Sequence, residues 1–311
     1  MPFRVGTDCS GIEAPIIALQ NLNISFDHEF SCDCDIHVQN TIKANFKPKI
    51  LYDNIFNRDI SNIPDIDLYI AGFPCQPFST INQHREGFNE INKKGIIFFE
   101  CLKILQHKNP NYFIFENVIG LLTHNKKKTF GVIQAELNKL PYTVSYLIFN
   151  PTDFNIPQDR RRLYMIGIHN SLNKSVNFTT NISLNRTIRD FFDDTTIGNK
   201  HALLRPKKLK ILENKIIEKK INETDDWIIN LNTSGGPFAT AKKDICPCII
   251  TTSFMYYITS LQRFLTINEL MKLQGFPSDF KIVVPKIQAF KQCGNSMCIP
   301  ILEFIFKQIL L

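Results

Sequence analysis

No run of apolar residues in this 311-residue chain reaches the roughly 18 uninterrupted positions that a membrane-spanning helix needs. The longest, such as IIFFECLKIL over residues 96–105, carry charges. The N-terminus also lacks the succession of basic, apolar and small residues that marks an export signal. These two absences predict a soluble, non-secreted, cytoplasmic protein. The nine cysteines form an odd count without framework-like spacing, so reduced thiols are expected rather than disulfides. Cys32 and Cys34, like Cys246 and Cys248, are one residue apart, not two as in ordinary zinc knuckles, and no metal centre is predicted. Missing too are G-x-G-x-x-G and G-x-x-x-x-G-K-[ST], which removes the usual cradles for dinucleotides and nucleoside triphosphates. No internal repeat is visible. What remains is ordinary globular composition, 44% hydrophobic and 21% charged, enough for a sizeable core. The excess of 36 Lys+Arg over 29 Asp+Glu gives net +7, a mild attraction for polyanions that many non-binders share.

Within that frame, short β-prone runs alternate with helical patterns. FRVGTD precedes EAPIIALQNL, HEFSCD precedes IHVQNTIKANF, DLYIAG precedes GIIFFECLKILQHK, and YFIFENV precedes FGVIQAELNKL; the strands TVSYLIFN and RLYMIGIH follow. Repeated alternation predicts parallel strands joined by crossover helices, hence an α/β sheet covered on both faces. From about residue 170 to 262 the alternation stops, and Asn, Lys, Thr and Asp become common. The piece RPKKLKILENKIIEKK places Leu209, Leu212, Ile216 and Ile217 at helical spacing, which predicts an amphipathic helix with a solvated lysine face. Helical patterning returns in LTINELMKLQGF and NSMCIPILEFIFKQILL. The expected organisation is a catalytic domain in two pieces, residues 1–169 and 263–311, around an insert at 170–262 of ordinary domain size.

Ligands of open parallel sheets bind at the carboxyl ends of the strands. Those ends carry Cys9-Ser10-Gly11, Asp33, Asp59-Ile60, Phe73-Pro74-Cys75-Gln76 and Glu116-Asn117. Gly11 opens the first strand-to-helix turn, and Asp33, about twenty residues on, is placed to take ribose hydroxyls. With no pyrophosphate cradle, a nucleoside without pyrophosphate fits, and S-adenosylmethionine is such a molecule. One glycine and one acid are a weak signal, which turns and salt bridges also produce.

The motifs in order resemble those of the C5-cytosine DNA methyltransferases over nearly the full chain. CSGIEA resembles the cofactor-loop motif, GFPCQPFS the nucleophile motif, ENV the acid motif, QDRRRLYMIG the arginine motif, LQGFP the packing motif after the recognition insert, and GNSM the last cofactor motif. The resemblance implies a Rossmann-like, S-adenosylmethionine-dependent methyltransferase sheet with helices on both faces, plus a smaller target-recognition domain at 170–262. It implies methyl transfer to C5 of a cytosine flipped from a short duplex DNA site, with S-adenosylhomocysteine as product. Cys75 would add to C6 so that C5 can attack the sulfonium methyl. Glu116 would protonate or hydrogen-bond N3, which requires burial to raise its pKa. Arg160 would contact the ring oxygen and Arg162 steady the nucleophile loop. Cys9, Ser10, Gly11 and Ile12, with Cys34 and Pro74, would line the cofactor site; Asp33 would hold the ribose, Asp59 and Ile60 the adenine edge, and Asn295 and Ser296 the methionine end. Ser79 to Lys94 resembles the mobile loop that closes over DNA.

Three departures from the family pattern stand out: Cys9 where an aromatic residue usually stacks on adenine, Glu13 and Ala14 where further glycines are usual, and Asp33 where glutamate is more typical. They imply weaker or rearranged cofactor contacts. Expected partners are double-stranded DNA and a cognate restriction nuclease, with the enzyme itself a monomer and no membrane involved. Three alternatives stay open. One branch of the family modifies transfer RNA, but carries Cys-Phe-Thr where this chain reads TTSFMYY. A silent DNA or protein binder would have no need of Cys75, Glu116 and Arg160. A nicotinamide oxidoreductase would require the missing glycine fingerprint. Abundant Asn, Ile and Lys hint at an A·T-rich genome, as in many bacteria, phages and large viruses.

Overall fold

The computed structural model describes residues 1–74, 94–232 and 240–311. Cys75 lies outside the described residues, as does the expected mobile loop from Ser79 except for Lys94. The chain forms two compact units: Met1–Phe149 with Arg161–Thr179 and Ile301–Leu311, and Asn150–Arg160 with Thr180–Pro300.

In the first unit the order is β1 (Phe3–Asp8), α1 (Ala14–Asn21), β2 (Phe26–Cys32), α2 (Ile36–Asn45), β3 (Ile50–Tyr52), β4 (Leu68–Ala71), α3 (Ile97–Lys108), β5 (Tyr112–Val118), α4 (Lys128–Leu137), β6 (Tyr142–Phe149) and β7 (Arg162–His169). They build a seven-stranded sheet ordered β3-β2-β1-β4-β5-β7-β6. β1 to β5 are parallel, as the alternation predicts. β7 runs antiparallel to both neighbours, because no crossover helix separates it from β6 and a direct connection reverses the chain. On one face Tyr69, Phe113, Phe115 and Met165 pack with Phe98, Leu102 and Leu105 of α3 and Ile133 and Leu137 of α4. The alternate positions Leu68, Ile70, Ile114, Tyr164 and Ile166 are also buried. Both faces are therefore covered, which is why these strands read as continuous apolar runs. The connections diverge between β1 and β4, with β2 and β3 built out on one side and β5 on the other; that switch point is where such sheets open a crevice.

The second unit holds α5 (Lys200–Leu203), α6 (Pro206–Lys219), β8 (Trp227–Asn230), β9 (Ala241–Lys243), β10 (Tyr256–Ile258), β11 (Arg263–Phe264), α7 (Ile267–Leu273) and α8 (Lys286–Asn295). α9 (Ile299–Leu310) begins here and continues into the first unit. The four strands pair antiparallel in the order β11-β10-β8-β9. α6 is the amphipathic helix read from the sequence, and it packs Ile211 and Leu212 against Ile229, Leu231 and Tyr257. Its apolar stripe is shifted from the expected one: Ile211 is buried, whereas Ile217 is 75% exposed. Among the described residues no helix is long and apolar enough to cross a membrane, and no group of three or more His, Cys, Asp or Glu side chains is placed to hold a metal ion.

Candidate active site

The turn after β1 alternates left-handed residues: Cys9 at φ 49°, Gly11 at φ 54° and Glu13 at φ 59°. Such backbone favours glycine, so the glutamate at 13 needs compensation. Its wholly buried carboxylate supplies it. Glu13 Oε1 accepts from Thr7 Oγ1 and Ser31 Oγ, both at 2.6 Å, and His28 Nε2 lies 2.9 Å from Ser31 Oγ. Ser10 Oγ, 2.7 Å from Thr7 Oγ1, accepts the Cys32 N–H at 2.9 Å. This polar cluster ties the end of β1 to the end of β2. Glu13 thus points into the protein interior.

Asp33 follows β2. Its Oδ2 accepts the Gly11 N–H at 3.1 Å and its Oδ1 the Asp35 N–H at 3.0 Å. An ionised carboxylate has about four acceptor positions, and these two N–H groups take two of them. Burial pushes the Asp33 carboxyl up to about 6, despite these two backbone donors. Cys34 beside it is exposed. Ile12 is buried in the core, and burial raises the partly exposed Cys9 thiol well above its usual range.

Asp59 caps a single 3-10 turn, accepting from Ser61 N–H at 3.0 Å and Asn62 Nδ2 at 3.2 Å. Hydrogen bonding from Ser61, first its side chain and then its N–H, holds the Asp59 carboxyl below the usual range. Ile60 packs on the core. Tyr52, Asp53, Asn57, Arg58 and Asp59 contribute to a cavity of ≈ 280 Å³. Arg58, which the sequence reading passed over, forms a buried hydrogen-bonded ion pair with Asp8.

Past β4, Asn117 Nδ2 donates to the Phe73 carbonyl at 3.0 Å. The side chain of β5 thereby fixes the chain just before the half-buried Pro74. The neighbouring Glu116 lies 3.2 Å from Arg162 Nε. In the antiparallel β5–β7 register Glu116 faces Tyr164 and Val118 faces Arg162, so acid and arginine stand on one face, two residues apart along the ladder. Asn117 was legible only as the middle of ENV, with no role attached.

Arg160 belongs to the second unit and is only 4% exposed. Its guanidinium donates to the carbonyls of Ile249 and, at 3.0 Å, Ser296. Gln158 Nε2 donates to Leu273 O at 3.0 Å and Gln274 Oε1 at 3.2 Å, while Gln274 Nε2 reaches Cys293 O at 3.0 Å and Ser296 O at 3.2 Å. One buried polar network therefore joins the arginine, packing and C-terminal motifs. Gly294 belongs to it sterically, since a Cβ there would lie 2.3 Å from the Ile250 backbone. Asn295 is exposed and Ser296 buried. The two glutamines gave no signal in the sequence beyond membership of their motifs.

Residues 7–311 match the family model of C-5 cytosine-specific DNA methylases. The Type II methyltransferase M.HaeII of Haemophilus aegyptius is 34% identical over 279 residues, covering 89% of this chain and 83% of its own. M.NgoBI of Neisseria gonorrhoeae is 34% identical over 281 residues, covering 88% and 83%. Among solved structures, a DNMT2 variant of Spodoptera frugiperda shares the fold with a TM-score of 0.73 at 15% identity, covering 99% of this chain and 100% of its own. The chain belongs to the C-5 cytosine-specific DNA methylase family and is an enzyme of that class.

Proposed function

We propose that the protein methylates C5 of a cytosine swung out of a short duplex DNA site, with S-adenosylmethionine as donor and a transient bond between Cys75 Sγ and C6. The observation that carries this reading is the Glu116–Arg162 pair at 3.2 Å, on the strand whose Asn117 fixes the chain at Phe73, two residues before Cys75. A carboxyl group held beside a guanidinium on rigid strands suits hydrogen bonding to the ring nitrogen as charge builds on the base. Cys75 adds to C6, C5 gains the methyl group, the C5 proton leaves to a base, and the sulfur is expelled. Five of the other thiols are poor candidates for the attack. Burial raises those of Cys9, Cys32, Cys101 and Cys246, and pushes Cys293 up to about 12, while the thiolate is the nucleophile.

The residues present fit the donor. Asp33 retains acceptor capacity for ribose hydroxyls, Gly11 leaves its Cβ side open, and Glu13 turns away from the turn's ligand side. When bound, S-adenosylmethionine supplies an electrophilic methyl on a sulfonium. In this reading residues 1–169 and 263–311 form the catalytic domain, and 170–262 read the flanking bases. The protein acts as a monomer alongside a cognate nuclease. Extrusion of the base costs a few kcal/mol, offset by phosphate contacts, so DNA binding weakens steeply with salt.

The test is transfer of labelled methyl from S-adenosylmethionine to duplex DNA and to transfer RNA in parallel, with bisulfite sequencing of a plasmid from expressing cells. Methylcytosine confined to one short DNA site supports the reading. Preferential labelling of the RNA, or none of either, overturns it.

A further inference from the structure

Two turns expected to hold the methyl donor, Cys9–Ile12 and Asp59–Ile60, are each preceded by a buried charged residue, Asp8 and Arg58 respectively. The pair is enclosed: side-chain exposure is 3% for Arg58 and 0% for Asp8. Arg58 bonds Asp8 Oδ2, which also accepts from Tyr69 Oη at 2.5 Å. The guanidinium lies 5.3 Å from the Phe30 ring centroid and 5.4 Å from that of Tyr52, so two aromatic rings and one carboxylate fix its place. Stability alone gives no reason for such a pair, because well-packed apolar residues often replace a buried ion pair without loss. A charge pair does constrain geometry: neither partner can move away without leaving the other unpaired in the interior.

We propose that Asp8 and Arg58 are positioning residues, a buried staple that fixes the spacing between the two turns and thereby sets affinity for the methyl donor. The inference rests on the donor assignment of the previous section. Asp8 ends β1 opposite Ala71 of β4, and Arg58 draws the segment leading to Asp59 onto that strand end, across fifty residues of sequence. Tyr69, on β4, closes the arrangement from below.

The experiment measures S-adenosylhomocysteine binding by calorimetry, duplex DNA binding and the thermal midpoint for the native chain, Asp8→Leu/Arg58→Met and Arg58→Lys. The expected result for the double variant is dissociation of S-adenosylhomocysteine at least tenfold weaker, with DNA affinity within about twofold and an unmoved midpoint. Arg58→Lys, which keeps the charge but loses the planar fork, should recover part of the affinity. Should the double variant not fold, Arg58→Lys alone decides: at least threefold weaker binding supports the staple. Native-like S-adenosylhomocysteine binding in the folded double variant, or in Arg58→Lys should that stand alone, or equal losses for S-adenosylhomocysteine and DNA, overturns the staple and leaves the donor assignment standing. Failure of the native chain itself to bind S-adenosylhomocysteine overturns both.

Discussion

The rim after β1 and β2 and the polar network of the second unit are built from similar residue types to opposite ends. At the rim, Asp33 spends two acceptor positions on backbone N–H groups, and in the proposed reading the others take a ligand. In the network, the guanidinium of Arg160 and the amides of Gln158 and Gln274 turn to carbonyls and to one another inside the protein. The difference teaches that membership in a motif does not separate residues that meet a ligand from residues that stitch segments together. Arg162 and Arg160, two positions apart, illustrate it. One stands beside Glu116, while the other is tied to the Ile249 and Ser296 backbone.

The comparison can be broken most forcefully at Glu116. Glu116→Gln should lower turnover by about 10²–10⁴-fold with the thermal midpoint unchanged, as read by methyl-transfer kinetics and calorimetry. Loss of folding in step with loss of activity would make Glu116 another stitching residue. Arg160→Ala should cost stability, about 1–3 kcal/mol, by taking the guanidinium donor from the buried Ile249 carbonyl, while Ser296 O keeps Gln274 Nε2; denaturant titration measures this, and an unaltered unfolding midpoint would remove the distinction.

At the rim, the pH dependence follows from the raised Asp33 carboxyl. Protonation removes acceptor positions that ribose hydroxyls need, and it occurs as the pH falls through about 6. Affinity for S-adenosylhomocysteine should therefore weaken below that pH, by up to about tenfold per unit, and be maximal above it. Asp33→Asn should bind weakly and lose this dependence; a native affinity flat from pH 5 to 8 would count against the assignment. For folding alone the sign is opposite to that of a salt-bridged acid. Because the folded pKa lies above the unfolded one, Asp33's contribution to stability declines as the pH rises from about 4 to about 6. The smallest effect is expected for Glu13→Gln, which weakens two hydroxyl bonds by about 1 kcal/mol in all, detectable as a modest shift in unfolding midpoint.

Much of the first unit was legible because β1, β2, β4 and β5 are each followed by a helix of distinct period, and because strands buried on both faces form long apolar runs; the three-residue β3 was too short to read. β7's direction required noticing that no helix precedes it. The small sheet of the second unit was illegible for a physical reason: its strands are two to four residues long, too short for period-two alternation to show. On α6 the helical spacing was sound, but Ile217 falls outside the arc that meets the sheet, and Ile211 lies inside it. At the site, Asp33 and Glu116 were singled out in the sequence by position and motif. The Asp8–Arg58 pair was not, since its partners are fifty residues apart and meet only when the segment after β3 folds back to the end of β1.

The most direct measurement is covalent trapping with a DNA duplex containing 5-fluorocytosine at the methylated site, in the presence of S-adenosylmethionine. Fluorine at C5 cannot leave as a proton, so elimination stalls and the native protein should migrate as a DNA adduct under denaturing conditions, while Cys75→Ser should not. No adduct from a protein that methylates the unmodified site, or an adduct that persists in Cys75→Ser, would contradict the account.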